Sequence, residues 1–172
     1  MRNAMLKLMV PVLAGLGMFA AAVGARADEH APAMISIIKA IEIAQTNMKA
    51  NLLGAELDTK DDTLCYKVDV SKAGNHFQLW INAHTGTIVR ARKPFFSNLW
   101  IDVAAGEKLK IANNVPSPTN WLRAVESETG GTIDYVRFAI EDDQPEYEVG
   151  LATGAGAAEI VIDALTGNRK PE

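Results

Sequence analysis

The chain has one cysteine, Cys65, among its 172 residues. No internal disulfide is possible, and stability has to come from packing even in an oxidising compartment. Basic residues are also in short supply, with 17 Lys and Arg against 21 Asp and Glu. That balance argues against nucleic acid as a partner, because phosphate backbones require a basic footprint. The sequence contains no His-Glu-x-x-His, no Gly-x-Ser-x-Gly and no glycine-rich phosphate loop, so the common metallopeptidase, hydrolase and nucleotide-binding signatures are missing. Gly154-Ala155-Gly156 falls between alternating runs and reads as a turn. Glu141-Asp142-Asp143 lacks the spaced ligands and central glycine of a calcium loop and reads as a solvated hairpin tip. These readings lead to the expectation of a protein that is not an enzyme and carries no cofactor and no resident metal.

The one long uncharged run lies at the start. Arg2 and Lys7 precede Leu8 to Gly24, which carries no charge, and Ala25-Arg26-Ala27 places small residues at −3 and −1. This is the pattern of a cleavable export signal over residues 1–27, with Asp28 as the expected first mature residue and the periplasm as the expected destination. The run is short for a bilayer span, which needs about 20 apolar residues, so no membrane insertion is expected after cleavage. Removal takes away Arg2, Lys7 and Arg26 and no acid, so the formal charge falls from −4 to −7.

What is present is a repeat. Tyr66-Lys67-Val68-Asp69-Val70 returns as Tyr147-Glu148-Val149-Gly150-Leu151, and Leu79 to Gly86 returns as Ile160 to Gly167, both at an offset of 81. A run of this kind written twice is the mark of a duplicated supersecondary unit. After a lead-in over 28–33, apolar residues Met34, Ile38, Ile41, Ala44 and Met48 recur at helical spacing and predict a helix over about 34–50. The period then changes to two, through Leu53-Ala55-Leu57, Leu64-Tyr66-Val68-Val70 and Phe77-Leu79-Ile81-Ala83, with a short edge strand expected over 87–92. The second copy repeats the plan. Ser117 is the expected N-cap and Pro118 the first helical residue, Trp121, Leu122 and Val125 give the buried stripe, and Gly130-Gly131 ends the helix. Strands are then expected through Val136-Phe138-Ile140, Tyr147-Val149-Leu151 and Ile160-Ile162-Ala164. Length differences between the copies are expected in the helix end and the first turn.

The fold class that follows is α+β: two tandem units, residues 34–93 and 117–172, each a helix packed on an antiparallel sheet of three to four strands. Between them, residues 94–116 hold Phe95, Phe96 and Trp100, three of the chain's eleven aromatics. So apolar a segment is not a flexible linker. It is expected to pack between the units, and Phe95, Phe96 and Trp100 are the candidate partner-binding residues, since clustered aromatics mark interfaces. Residues 34–93 carry eight basic and six acidic residues, and 117–172 carry four and eleven. The Arg90, Arg92, Lys93 cluster is therefore expected to help dock the first unit against an acidic second one, or to orient a partner. Cys65 shares strand parity with His76 and Trp80. A Cys–His contact is conceivable on that parity, and a half-exposed thiol without a role is the plainer expectation.

The helix, the meander, the Tyr-x-Val strands and the closing Ile81-Asn82-Ala83-His84-Thr85-Gly86 and Ile162-Asp163-Ala164-Leu165-Thr166-Gly167 resemble the PepSY domain. Asn82 departs from the usual Asp. The resemblance implies a cystatin-like module of exported bacterial proteins, present in propeptides of secreted metallopeptidases, in free-standing periplasmic proteins and in membrane proteins that handle iron or electrons. It supplies no catalytic residues. The function it implies is non-catalytic binding of a protein or peptide, with restraint of a peptidase or membrane sensor as one form of it. The alternative is a metal- or haem-associated accessory protein. A mature terminus Asp28-Glu29-His30 can wrap Cu(II) or Ni(II) in a square plane, and His76 and His84 are the other candidate ligands.

Overall fold

A computed structural model of the protein describes residues 34–93 and 102–171, with the side chains of 102–105 excepted. Helix α1 (Ile37–Met48) is followed by four strands, β1 (Asn51–Lys60), β2 (Thr63–Lys72), β3 (Asn75–Asn82) and β4 (Ile88–Arg92). Helix α2 (Asp102–Ala112) and helix α3 (Thr119–Thr129) come next, then β5 (Thr132–Glu141), β6 (Gln144–Thr153) and β7 (Gly156–Asp163). The strands form one antiparallel sheet in the order β4-β3-β2-β1-β5-β6-β7. The α+β class is as expected, and the two meanders join edge to edge through β1 and β5.

The join is symmetric. Ala55 pairs with Val136, its own counterpart 81 residues on, and Gly54–Arg137 and Glu56–Tyr135 lie to either side as counterparts of each other. A local two-fold axis therefore passes through the Ala55–Val136 pair, giving an isologous contact within one chain. The same axis passes between the helices, where Arg123 of α3 donates to Glu42 of α1; these too are counterparts. Bulges recur at Leu52/Gly54 and Ile133/Tyr135, and the hairpin pairs Asp61-Asp62 and Asp142-Asp143 all sit at positive φ. From residue 36 onward the offset holds without an insertion, against the expected length differences. Helix α2 has no counterpart among the described residues.

Helices α1 and α3 cover one face. Ile37, Ile38, Ala40, Ile41 and Ala44 of α1, with Leu122 and Val125 of α3, pack on Leu52, Val68, Val70, Leu79, Val136, Val149 and Ile162. Ser36 caps α1, accepting from Lys39 N at 3.2 Å, so the helix starts at Ile37, and Met34, expected within it, stands outside and exposed. The bulge moves the buried residue of early β1 from the expected Leu53 to Leu52. Ser117 is not the N-cap of α3. Pro118 occupies that position, and the Ser117 hydroxyl bonds Gln45 Oε1 at 2.7 Å instead. Gly130, at φ 63°, does close α3.

The expected Thr-Gly closing turns form in both halves. Asn82 Oδ1 accepts from the N–H groups of His84 and Thr85. Asp163 Oδ1 accepts from Leu165 N, Thr166 N and the Thr166 hydroxyl. These bonds, the Thr166 N–H first, hold the Asp163 carboxyl below the ordinary aspartate value. Gly167, at φ 78°, lies against Trp121 and has no room for a Cβ. Asn82 and Asp163 are turn residues.

Candidate binding surfaces

Phe95, Phe96 and Trp100 lie outside the described residues, as does His30. What the structure does place are two sheet edges and the sheet face opposite α1 and α3. At the first edge, β4 pairs with β3 from Ile81–Ile88 to Gln78–Arg92. Alternation sends Arg90 and Arg92 to the side opposite α1 and α3, where they flank the Trp80 ring at 6.0 and 4.9 Å. Arg92 also holds Gln78 Oε1 with two nitrogens, and Lys93 reaches Asn75 Oδ1 at 2.7 Å. The Arg90, Arg92, Lys93 cluster thus occupies the edge farthest from the second half. It does not face the acidic unit, as the charge division had suggested; among the described residues the ion pair between the halves is Glu42–Arg123.

At the second edge the return strand is short. Ile162 bridges Arg169, Lys170 N donates to Val161 O at 2.9 Å, and Asp163 N donates to Asn168 O. These contacts match Ile81–Ile88 in the first half. No strand among the described residues pairs with the outer side of Gly156–Glu159, whose residues are exposed. That edge is positioned to accept an extended peptide through backbone hydrogen bonds.

The face opposite α1 and α3 carries the polar pairs. Lys67 meets Glu56, Arg137 meets Glu148 at 3.0 Å, and the Tyr135 hydroxyl donates to Glu159, a bond that pushes the phenol up. Arg137 also lies 5.5 Å from the Tyr135 ring centre, and that ring presses on Gly150, where a Cβ would meet it at 2.2 Å. Over the β1–β5 seam these side chains wall a groove of about 190 Å³ between Glu56, Asp69, Tyr135 and Arg137. Glu146 is buried against Lys170 at 2.5 Å.

Chemistry of a reactive kind does not assemble among the described residues. Cys65 is fully buried, not half-exposed, and burial pushes its thiol up. It pairs with Asn82, whereas His76 pairs with Ser71 at the other end of the same ladder. Six residues of strand put about 20 Å between them, so no Cys–His pair forms. His76 Nε2 lies 2.6 Å from Asp69 Oδ1, and His84 sits beyond the far end of β3, so the two candidate histidine ligands are not brought together. No group of three or more His, Cys, Asp or Glu side chains among the described residues is arranged for a metal ion. No helix among them is long and apolar enough to cross a membrane.

The two-fold seam and the groove over it were not foreseen from the sequence. The offset of 81 was the available signal, because antiparallel pairing of equivalent strands generates such an axis.

Comparison with known proteins bears on the first half. Residues 35–92 match the family described as PepSY, Peptidase propeptide and YPEB domain. No curated protein matches the chain. Among solved structures, the crystal structure of a candidate lipoprotein from Clostridium difficile 630 is similar, with a TM-score of 0.48 and 17% identity over 77% of this chain and 88% of that one. The matched segment is α1 with β1 to β4, and residues 35–92 of this chain are a PepSY domain.

Proposed function

We propose that residues 117–172 are a second PepSY-like unit, and that the mature chain is an exported, non-catalytic protein that binds a protein or peptide and restrains a peptidase or membrane sensor. The observation that supports this most directly is the PepSY match over residues 35–92. The pairings of β1 to β3 recurring in β5 to β7 support the second unit. The exposed edge at Gly156–Glu159 suits an extended peptide. Phe95, Phe96 and Trp100 are proposed as contact residues on their composition alone. The periplasm, reached through cleavage after Ala27, is the proposed location.

The test is site-specific photo-crosslinking in the native host, with the reactive residue placed at Ala158, at Phe96 and, as a control, at Lys72. A saturable adduct with one exported protein from Ala158 or Phe96, and none from Lys72, is the expected result. If that protein is a peptidase, purified residues 28–172 should slow it. The proposal fails if neither position yields a specific adduct, or if the purified protein itself turns over a substrate.

A further inference from the structure

The two-fold axis gives every surface position a counterpart, so a side chain covered in one half and bare in the other marks a missing neighbour. Helix α2 is the element without a counterpart among the described residues. It is seated by Ser71, whose hydroxyl donates to Leu109 O at 3.2 Å, and by Asn51, which donates to Ala112 O at 2.8 Å and to Val115 O. Lys108 lies 5.8 Å from the Phe138 ring centre, and burial pulls its ammonium pKa down. Phe138 is 0% exposed and Val115 5%. Their counterparts are Leu57 and Met34, both 43% exposed. The counterparts of Ser71 and Asn51 are Ala152 and Thr132, both exposed. Four positions covered at the α2 seat are thus open at its two-fold mate.

We infer that this mate, bounded by Met34, Leu57, Thr132 and Ala152, is the docking site for a short amphipathic helix with a basic flank, supplied by a partner protein. The inference rests on the binding role proposed above and names its surface. Three observations favour this occupant. A helix is what the fold places on the equivalent seat. In sequence the counterpart of α2 is residues 21–31, and the expected cleavage after Ala27 would leave the mature chain four of those residues, fewer than a helix of this kind needs. Finally, the flanking positions have changed charge. Gln45 and Asn47 of α1, Leu53 of β1 and Ala139 of β5 have as counterparts Glu126, Glu128, Asp134 and Asp58, and β1 and β5 are the strands that α2 touches. Glu128 shares its charge with Arg169 and Glu126 accepts from Ile133 N; Asp134 and Asp58 have no ion pair among the described residues. Four neutral positions thus correspond to four acids, which suits a cationic partner.

The test uses processed protein and a blocked two-heptad Leu/Lys helical peptide, followed by methyl and amide NMR. Shifts should centre on Met34, Thr132 and Ala152, and the Leu/Glu version and a scrambled Leu/Lys peptide should bind more weakly. Leu57→Glu should weaken binding about tenfold or more, by setting a carboxylate beneath an apolar surface. Val89→Glu, at an exposed apolar residue of β4, should leave binding unchanged. Equal binding of the Leu/Lys and Leu/Glu peptides overturns the cationic occupant, and shifts elsewhere or an unaffected Leu57→Glu overturn the site. Self-association abolished by Leu57→Glu assigns the patch to a second copy, and a mature chain beginning before residue 21 retains its own counterpart of α2; either also overturns it. A crosslinked partner held equally by wild type and Leu57→Glu preserves the binding role and removes this surface.

Discussion

Truncating Phe138 and Leu57 to alanine asks the same question of two positions that the repeat makes equivalent. Phe138 is fully buried, its ring centre 5.4 Å from that of Tyr147 at a 60° tilt, with Lys108 on its other side. Losing the ring removes about 2–3 kcal/mol of transfer free energy and about 1 kcal/mol of aromatic pairing. With the cavity left behind, the total is about 4 kcal/mol. Leu57 is 43% exposed, so it retains roughly half the transfer term and leaves no closed cavity, for a cost of about 1 kcal/mol. The difference, about 3 kcal/mol, corresponds to roughly 10 °C in Tm for a chain of this size. Urea unfolding followed by tryptophan fluorescence on processed protein resolves such a gap. Equal losses at the two positions would refute the reasoning, because Leu57 would then be covered in solution.

The remaining predictions are smaller in scale. Gly167→Ala and Gly86→Ala both put alanine at positive φ, but the Cβ meets Trp121 Nε1 at 2.2 Å in the first and Ile43 Cδ1 at 3.1 Å in the second. Both should cost about 1–2 kcal/mol from the backbone, with about 1–3 more at Gly167 from overpacking; equal Tm losses would contradict the geometry. Glu42→Arg and Arg123→Glu should each destabilise slightly and the double reversal should restore stability, with a coupling of about 0.5 kcal/mol for a partly exposed pair; a coupling indistinguishable from zero in a double-mutant cycle would dismiss the pair. Asp163 has a folded pKa below its ordinary value. Its contribution is therefore present above the unfolded aspartate pKa and is lost as pH falls through the folded one. Asp163→Asn should lower Tm near neutrality and match the wild type in strong acid, and a pH-independent gap would exclude the linkage.

Much of the fold was legible because it was written twice. Tyr66 and Tyr147, the strand alternations and the Thr-Gly turns set the parity of six strands and the turns that end two of them, and the buried Val68, Val70, Val149 and Ile162 follow from that parity. Local signals failed where a tertiary contact outweighed them. Ser117 is a good cap by propensity, but its hydroxyl is taken by Gln45 of the other helix. Leu53 keeps the alternation, but a bulge passes its buried place to Leu52. The Arg cluster could be counted but not located, since composition carries no information on strand order and β4 lies at the edge away from the acidic half. The bare patch at Leu57 was invisible for a related reason: nothing in an alternating strand says which of its apolar residues a distant helix will shelter.

The Glu42–Arg123 contact constrains how such a chain can be assembled. Any position on a two-fold axis meets its own copy when identical subunits associate, so a homodimer of the first half would oppose two glutamates there, and one of the second half two arginines. Once the two halves differ in sequence, the self-facing position can hold opposite charges. Divergence of the halves at this one position thus turns a site of self-repulsion into a point of attraction, and favours the pairing of unlike halves over like ones.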